Sequence, residues 1–226
     1  MTVPPFSAVL FDCDGVLVAS EPITQGVLHE MLGEMGWDLS FEECMRRFVG
    51  KSFKDEWHVI HAHTGATIDD EWIAQFRARR NEALRERLEA VPGAVEAARA
   101  VAEMMDGRVA CVSGADRVKI EMQLEMVGLA DVFEGRVFSG METARSKPAP
   151  DVYLAAADAM GIDPATAAVV EDSSAGVRAG IAAGATVLGL TLGGPAYQTP
   201  EQLEELGVAR VLTSMADLPA ALVSFA

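Results

Sequence analysis

Apolar positions follow two rhythms along this chain, and the change from one to the other marks its organisation. Ser7 to Phe11 is a short apolar run with prolines before it and acids after it, which predicts a buried strand. From Glu21 to Leu88 strand signals are absent and apolar residues recur at helical spacing. Val27, Leu28, Met31 and Leu32 form one such stripe; Phe41, Met45 and Phe48 the next; Trp57, Ile60 and His61 a third; Trp72, Ile73, Phe76, Leu84 and Leu88 the last. After Val91-Pro92-Gly93 strand and helix alternate. Strands are predicted over Arg108 to Val112, Arg136 to Phe138, Ala167 to Val170, Ala185 to Leu190 and, last and shortest, Arg210 to Leu212. Helices are predicted over Ala94 to Met105, Ala115 to Val127, Pro150 to Met160 and Ala175 to Ala183, and Gly128, Gly161 and Gly184 fall where three of them would end in a left-handed residue.

Strand and helix alternating at this spacing predict an α/β fold, a doubly wound, mostly parallel, Rossmann-like sheet. Its first strand is followed by an all-helical excursion. The expected division is a core of residues 1–17 and 91–226 and a helical cap of residues 18–90, with hinges near Val16 to Ser20 and Leu88 to Gly93. In such sheets ligands bind outside the carboxyl ends of the strands, so the residues at those ends carry the functional argument.

Composition narrows the classes of function. At 226 residues, half of them hydrophobic, the chain can bury a sizeable core. A net charge of −16 argues against nucleic acid, whose phosphates are held by Lys and Arg in number. Nine of the 18 basic residues nevertheless fall between Arg46 and Arg87, against seven acids, a local excess that suits a small anionic substrate as well as it suits solvated helix faces. No apolar run approaches the roughly 20 residues of a bilayer span, and the start lacks the pattern of a signal peptide, so a cytoplasmic protein without a membrane partner is expected. Cys13, Cys44 and Cys111 are odd in number and widely spaced, which predicts reduced thiols. His58, His61 and His63 lack acids or thiols at matching spacing and are read as surface or core residues, and Met122, Met126 and Met141 as fillers of core gaps.

The predicted strand ends hold acids, hydroxyls and one lysine. Strand one ends in Asp12 and Asp14, strand two in Ser113-Gly114, the segment after strand three carries Ser146-Lys147-Pro148, and strand four ends in Glu171-Asp172-Ser173-Ser174. Clustered carboxylates would repel and take up protons unless a cation joined them. Without histidine or thiolate the set favours a hard ion, Mg²⁺, which shares itself with a substrate phosphate. One carboxylate held by the metal can then attack phosphorus in line, while the second protonates the leaving oxygen and deprotonates the incoming water. Gly15 lets the backbone bend away from the metal, Ser113 and the amides of Gly114 and Ala115 donate to phosphoryl oxygens, and Lys147 adds a point charge. Each signal alone is weak, since Asp-x-Asp arises in exposed turns and Glu-Asp-Ser caps helices. Their order, each at a predicted strand end, gives them weight.

These segments resemble the four motifs of the haloacid dehalogenase-like phosphatases: Asp12-Cys-Asp-Gly-Val-Leu-Val, Ser113-Gly114, Lys147-Pro148-Ala-Pro-Asp-Val-Tyr153 and Val169-Val-Glu-Asp-Ser-Ser-Ala-Gly176. The likeness covers the whole chain, and the helical insertion resembles the C1-type cap of the group that holds β-phosphoglucomutase, phosphoglycolate phosphatase and sugar-phosphate phosphatases. It implies Asp12 as nucleophile, Asp14 as acid/base and metal ligand through its backbone carbonyl, Ser113 and Lys147 as phosphate holders beside the Gly114 amide, and Asp172 as a Mg²⁺ ligand assisted by Glu171. A cap that closes over the site is implied too. Phe11-Asp-Cys-Asp-Gly, Arg46-Arg-Phe-Val-Gly-Lys51 and Ser139-Gly140 look most like a branch of 6-phosphogluconate or general sugar-phosphate phosphatases. Lys51 and Arg80, with Arg77 and Arg79, are candidates to clamp the anionic end of a small phosphorylated metabolite. Thr24 and Phe53 stand where the mutases carry a histidine and an arginine, which favours hydrolysis. A phosphomutase and a non-catalytic phosphometabolite-binding module stay open as alternatives, and a monomer or weak homodimer is expected.

Overall fold

The computed structural model describes residues 4–49 and 53–225. The chain divides into two compact units, Met1–Ala19 with Glu89–Ala226 and Ser20–Leu88. In chain order, β1 (Ala8–Phe11) is followed by α1 (Glu21–Glu34), α2 (Phe41–Phe48), α3 (Phe53–Thr64) and α4 (Asp70–Arg87), which make up the second unit. Ser40 and Asp69 accept from the amides of Glu43 and Trp72, satisfying orphan donors at the starts of α2 and α4. Val27, Leu28, Met31, Leu32, Phe48, Ile60 and Phe76 form the apolar interior of this unit, on the stripes that the periodicity marks. His63 lies flat on Trp37 with ring centres 4.0 Å apart, and His61 bonds the Ala66 carbonyl oxygen.

The first unit continues with α5 (Ala94–Met104), β2 (Val109–Ser113), α6 (Arg117–Met126), β3 (Val137–Ser139), α7 (Asp151–Ala159), β4 (Ala167–Glu171), α8 (Ser174–Ala182), β5 (Thr186–Leu190), α9 (Pro200–Leu206), β6 (Arg210–Leu212) and α10 (Leu218–Val223). The six strands form one parallel sheet in the order β3-β2-β1-β4-β5-β6. β1, β2 and β4 are buried along their whole length, as the continuous apolar runs of a sheet covered on both faces require. The strand order reverses between β1 and β4, so the carboxyl ends of these two strands, with that of β2 on the other side of β1, border the switch point where ligands collect.

Three boundaries differ from the sequence expectation in ways that matter for the site. β2 runs one residue further, to Ser113, and β4 one further, to Glu171, because both residues still pair across the sheet, with Ser139 and Gly189. α6 begins at Arg117 rather than Ala115, because the Asp116 carboxylate accepts from the Lys119 amide at 3.0 Å and caps the helix there. Gly114 and Ala115 therefore lie in the loop before the helix. Gly128, Gly161 and Gly184 do take positive φ, at 70°, 65° and 91°.

Candidate active site

Asp12 is the first residue beyond β1, and its amide donates to the Val170 carbonyl at 3.0 Å, which ties it to the end of β4. Its carboxylate Oδ1 accepts from Lys147 Nζ at 2.6 Å. The same ammonium donates to Glu171 Oε1 at 2.7 Å and to the Val112 carbonyl at 2.9 Å, so the three N–H groups of Lys147 bind the ends of β1, β4 and β2 at once. Lys147 comes from the loop after β3 and lies 4.8 Å from the centre of the Tyr153 ring. Tyr153, at the first turn of α7, also donates its hydroxyl to Glu171 Oε1 at 2.9 Å. Glu171 Oε2 accepts from the amides of Asp172 and Ser173 and from the Ser173 hydroxyl, at 3.0, 3.2 and 3.1 Å. Five donors thus surround one fully buried carboxylate. Ser173 caps α8 through the Gly176 amide, so the same turn that starts the helix also fixes the acid.

Asp12, Glu171 and Asp172 each offer a carboxylate oxygen, and those three atoms lie within 4.8 Å of one another. All three residues are buried, and among the described residues no imidazole or thiolate joins the group. The donor set is hard oxygen alone, which fits a hard divalent cation such as Mg²⁺ and not a soft one. The backbone is shaped for this crowding. Gly15 has φ +84°, and a Cβ added there would sit 2.0 Å from Asp172 Oδ2; a Cβ at Gly176 would sit 1.7 Å from Glu171 Oε1. Both glycines are places where a carboxylate lies against bare backbone.

Burial pushes the Asp12 carboxyl up to about 8; Lys147 pulls it down, and Glu171 and Asp14 push it further up. Lys147 feels the opposite balance. Burial works against its charge, but Asp12 and Glu171 more than compensate and hold it well above the usual range, so it remains an ammonium. Tyr153 is held well above its ordinary value by burial first and by Glu171 next, which keeps it a hydrogen-bond donor.

Asp14 takes different partners from Asp12. Its Oδ1 accepts from Lys119 Nζ at 2.7 Å and from Gln123 Nε2 at 3.0 Å, both on α6. The next residue, Gly15, offers its carbonyl to the Tyr197 hydroxyl at 3.2 Å. Ser113 is buried, and its Oγ accepts from the Ala115 amide at 3.1 Å while keeping its own proton to donate. The Ala115 carbonyl accepts from Ser139 Oγ at 2.6 Å, which links the loop after β2 to the end of β3. Gly114 lies between Ser113 and Ala115 in that loop, with its Cα 3.3 Å from where a Cβ on Gly140 would be.

Asp12, Asp14, Ser113, Gly114, Lys147, Glu171 and Asp172 all belong to the first unit, at or just beyond the strand ends. Lys51 lies outside the described residues. Arg80 is buried in the second unit, where its Nε and Nη2 donate to Asn81 Oδ1 at 3.0 and 2.8 Å and its guanidinium lies 5.9 Å from the Phe76 ring centre. Lys119, Gln123 and Tyr197 are site residues that sequence reasoning passed over, and Tyr153 enters it only as the end of a motif, with no role. One signal was present: Lys119 and Gln123 repeat at i, i+4 beside the apolar pair Ile120 and Leu124, so they share the inner side of α6.

A model of the haloacid dehalogenase-like hydrolases matches residues 6–184. A 6-phosphogluconate phosphatase of Escherichia coli is 32% identical over 181 residues, covering 80% of each chain. A hydrolase from Deinococcus radiodurans, solved with bound phosphate and sodium, is 35% identical and superposes with a TM-score of 0.79 over 98% of this chain and 96% of its own. A haloacid dehalogenase-like protein from Agrobacterium tumefaciens is 29% identical with a TM-score of 0.82, over 97% and 99% of the two chains. Among the described residues no helix is long and apolar enough to cross a membrane.

Proposed function

The chain belongs to the haloacid dehalogenase-like hydrolases, and on that premise we propose that it is a Mg²⁺-dependent phosphatase that cleaves a small phosphorylated metabolite, a sugar phosphate or sugar-acid phosphate, through a phosphoryl group carried on Asp12. The observation that carries this reading is the convergence of Asp12, Lys147, Glu171 and Asp172 at three strand ends of one sheet. The relative from Escherichia coli is a 6-phosphogluconate phosphatase, and the Deinococcus structure holds phosphate, which supports an anionic phosphorylated substrate.

Asp12 and Asp172 would offer carboxylate oxygens to the cation, and Asp14 its backbone carbonyl. Glu171, whose oxygens already serve five donors, supplies charge and fixes Lys147. When bound, Mg²⁺ neutralises charge on the substrate phosphate and favours the ionised form of the carboxylate beside it. Lys147 stays cationic and places positive charge next to the attacking oxygen of Asp12, while Ser113 donates its hydroxyl to the phosphoryl group. In the first half-reaction an Asp12 oxygen forms a bond to phosphorus and the bond to the leaving oxygen breaks. The electron pair stays on that oxygen, which takes a proton from Asp14. In the second half water attacks phosphorus, gives a proton back to Asp14, and the bond to Asp12 breaks.

Incubation with phosphorylated sugars, sugar acids and glycolate, read as released phosphate over time, tests the proposal. Mg²⁺-dependent release that is lost on chelation and in Asp12→Asn is expected. Interconversion of hexose phosphates without release of phosphate would replace hydrolysis by mutase chemistry, and substantial turnover by Asp12→Asn would reject the assigned nucleophile.

A further inference from the structure

Burying a lysine in a helix face is costly unless a partner charge meets it, and a methionine would fill the same space without that cost. Lys119 is only 5% exposed, and Gln123, one turn on, is fully buried. Both donate to a single atom, Asp14 Oδ1, at 2.7 and 3.0 Å. Each donor is itself fixed. The Lys119 amide is held by the Asp116 cap at 3.0 Å, and Gln123 Oε1 accepts from the Cys13 thiol at 3.6 Å, which orients its amide with the NH₂ toward Asp14. Two donors converging on one oxygen set the plane of the carboxylate and decide which oxygen faces α6.

We propose that Lys119 and Gln123 are positioning residues for proton transfer: they hold the Asp14 carboxylate in the one orientation from which it can serve the leaving oxygen. This rests on the phosphatase reading above and adds to it a part played by α6. Neither residue touches the phosphoryl group in this account. Their effect passes through Asp14, and it is felt only where the departing oxygen needs a proton.

That condition gives the test. kcat/KM reports the first irreversible step, transfer to Asp12 with loss of the leaving group. Phenyl phosphate, whose phenolate is basic and gains from protonation, is compared with p-nitrophenyl phosphate, whose leaving group departs readily as an anion. A positioned acid contributes about 10²–10⁴-fold, so Lys119→Met is expected to lose about tenfold more on phenyl phosphate than on p-nitrophenyl phosphate. Gln123→Met should change the ratio in the same direction. In an Asp14→Asn background, Lys119→Met should add no more than about twofold, because the residue through which it acts is gone. The ratio of the two substrates on one sample does not depend on the folded fraction, and Gln123→Met carries the test if Lys119→Met does not fold. Equal losses on both substrates, or a full additional loss in the double variant, would overturn the proposal. Failure of the unaltered enzyme to release phosphate from either substrate with Mg²⁺ would instead reject the phosphatase reading on which it rests.

Discussion

Gly176, in the first turn of α8, lies against a carboxylate that five donors surround, and replacing it with alanine tests how tightly that cluster is set. The Cβ introduced by Gly176→Ala would fall 1.7 Å from Glu171 Oε1, 1.9 Å from its Cδ and 2.2 Å from Oε2, so it is the carboxylate that must move. Glu171 is fully buried and has nowhere to retreat that keeps Lys147 at 2.7 Å, Tyr153 at 2.9 Å and the Asp172 and Ser173 donors together. Losing two hydrogen bonds to a buried charge costs about 3–6 kcal/mol. The gain from exchanging glycine for alanine in a helix is at most about 1 kcal/mol, which leaves a net loss of about 2–5 kcal/mol. At about 2–4 °C per kcal/mol for a chain of this size, the melting temperature should fall by roughly 4–20 °C. Lys147 loses its anchor on β4 at the same time, so turnover should fall with stability. Thermal unfolding followed by circular dichroism, together with phosphate release from p-nitrophenyl phosphate, checks both. A variant that melts at or above the parent temperature with unaltered turnover would mean that Glu171 does not occupy the space against Gly176.

Three further outcomes rest on the same geometry. The Asp12 carboxyl is pushed by burial to about 8 in the folded chain against about 3.9 unfolded, so the folded state binds the extra proton between those values and metal-free stability falls as pH rises through that window. The fall is at most about 6 kcal/mol, and metal-free Asp12→Asn should escape it, melting above the parent protein at about pH 8 and closer to it at about pH 5; parallel profiles for the two would contradict this. Gly15→Ala combines a φ of +84° with a Cβ 2.0 Å from Asp172 Oδ2, so Mg²⁺ titration of activity should show at least about tenfold weaker apparent affinity, and unchanged affinity would remove Asp172 from the cation site. Lys147→Met leaves Asp12 and Glu171 facing each other without their shared ammonium, a loss of about 3–5 kcal/mol by chemical denaturation in the absence of metal; an unchanged midpoint would show that the ammonium does not bind them together.

The core strands could be read from the chain because β1, β2 and β4 are covered on both faces and so appear as unbroken apolar runs that end in acids or a hydroxyl. The helices of the second unit were legible for the same reason in another period, since Val27, Leu28, Met31 and Leu32 face one interior. What escaped the reading is set by contacts distant in sequence. α9 and α10 are short, at seven and six residues, and give too few turns for a periodicity. Lys119 is separated from Asp14 by 105 residues, so its spacing with Gln123 beside Ile120 and Leu124 can mark the inner side of α6 but cannot name the carboxylate it meets. Tyr153 was visible as part of a motif, but its bond to Glu171 depends on how α7 meets β4. The start of α6 was misplaced because the alanine after Ser113-Gly114 looks helical, while the capping side chain is Asp116 one residue later.

Whether Asp12 carries the phosphoryl group is read by quenching the enzyme in acid within one turnover on p-nitrophenyl phosphate with Mg²⁺ and locating any added phosphoryl group by peptide mass spectrometry. A phosphorylated peptide spanning Asp12 is expected, absent in Asp12→Asn and absent when Mg²⁺ is chelated. Phosphate release at the full rate with an unmodified Asp12 peptide under trapping conditions, or with the phosphoryl group on another residue, would contradict it.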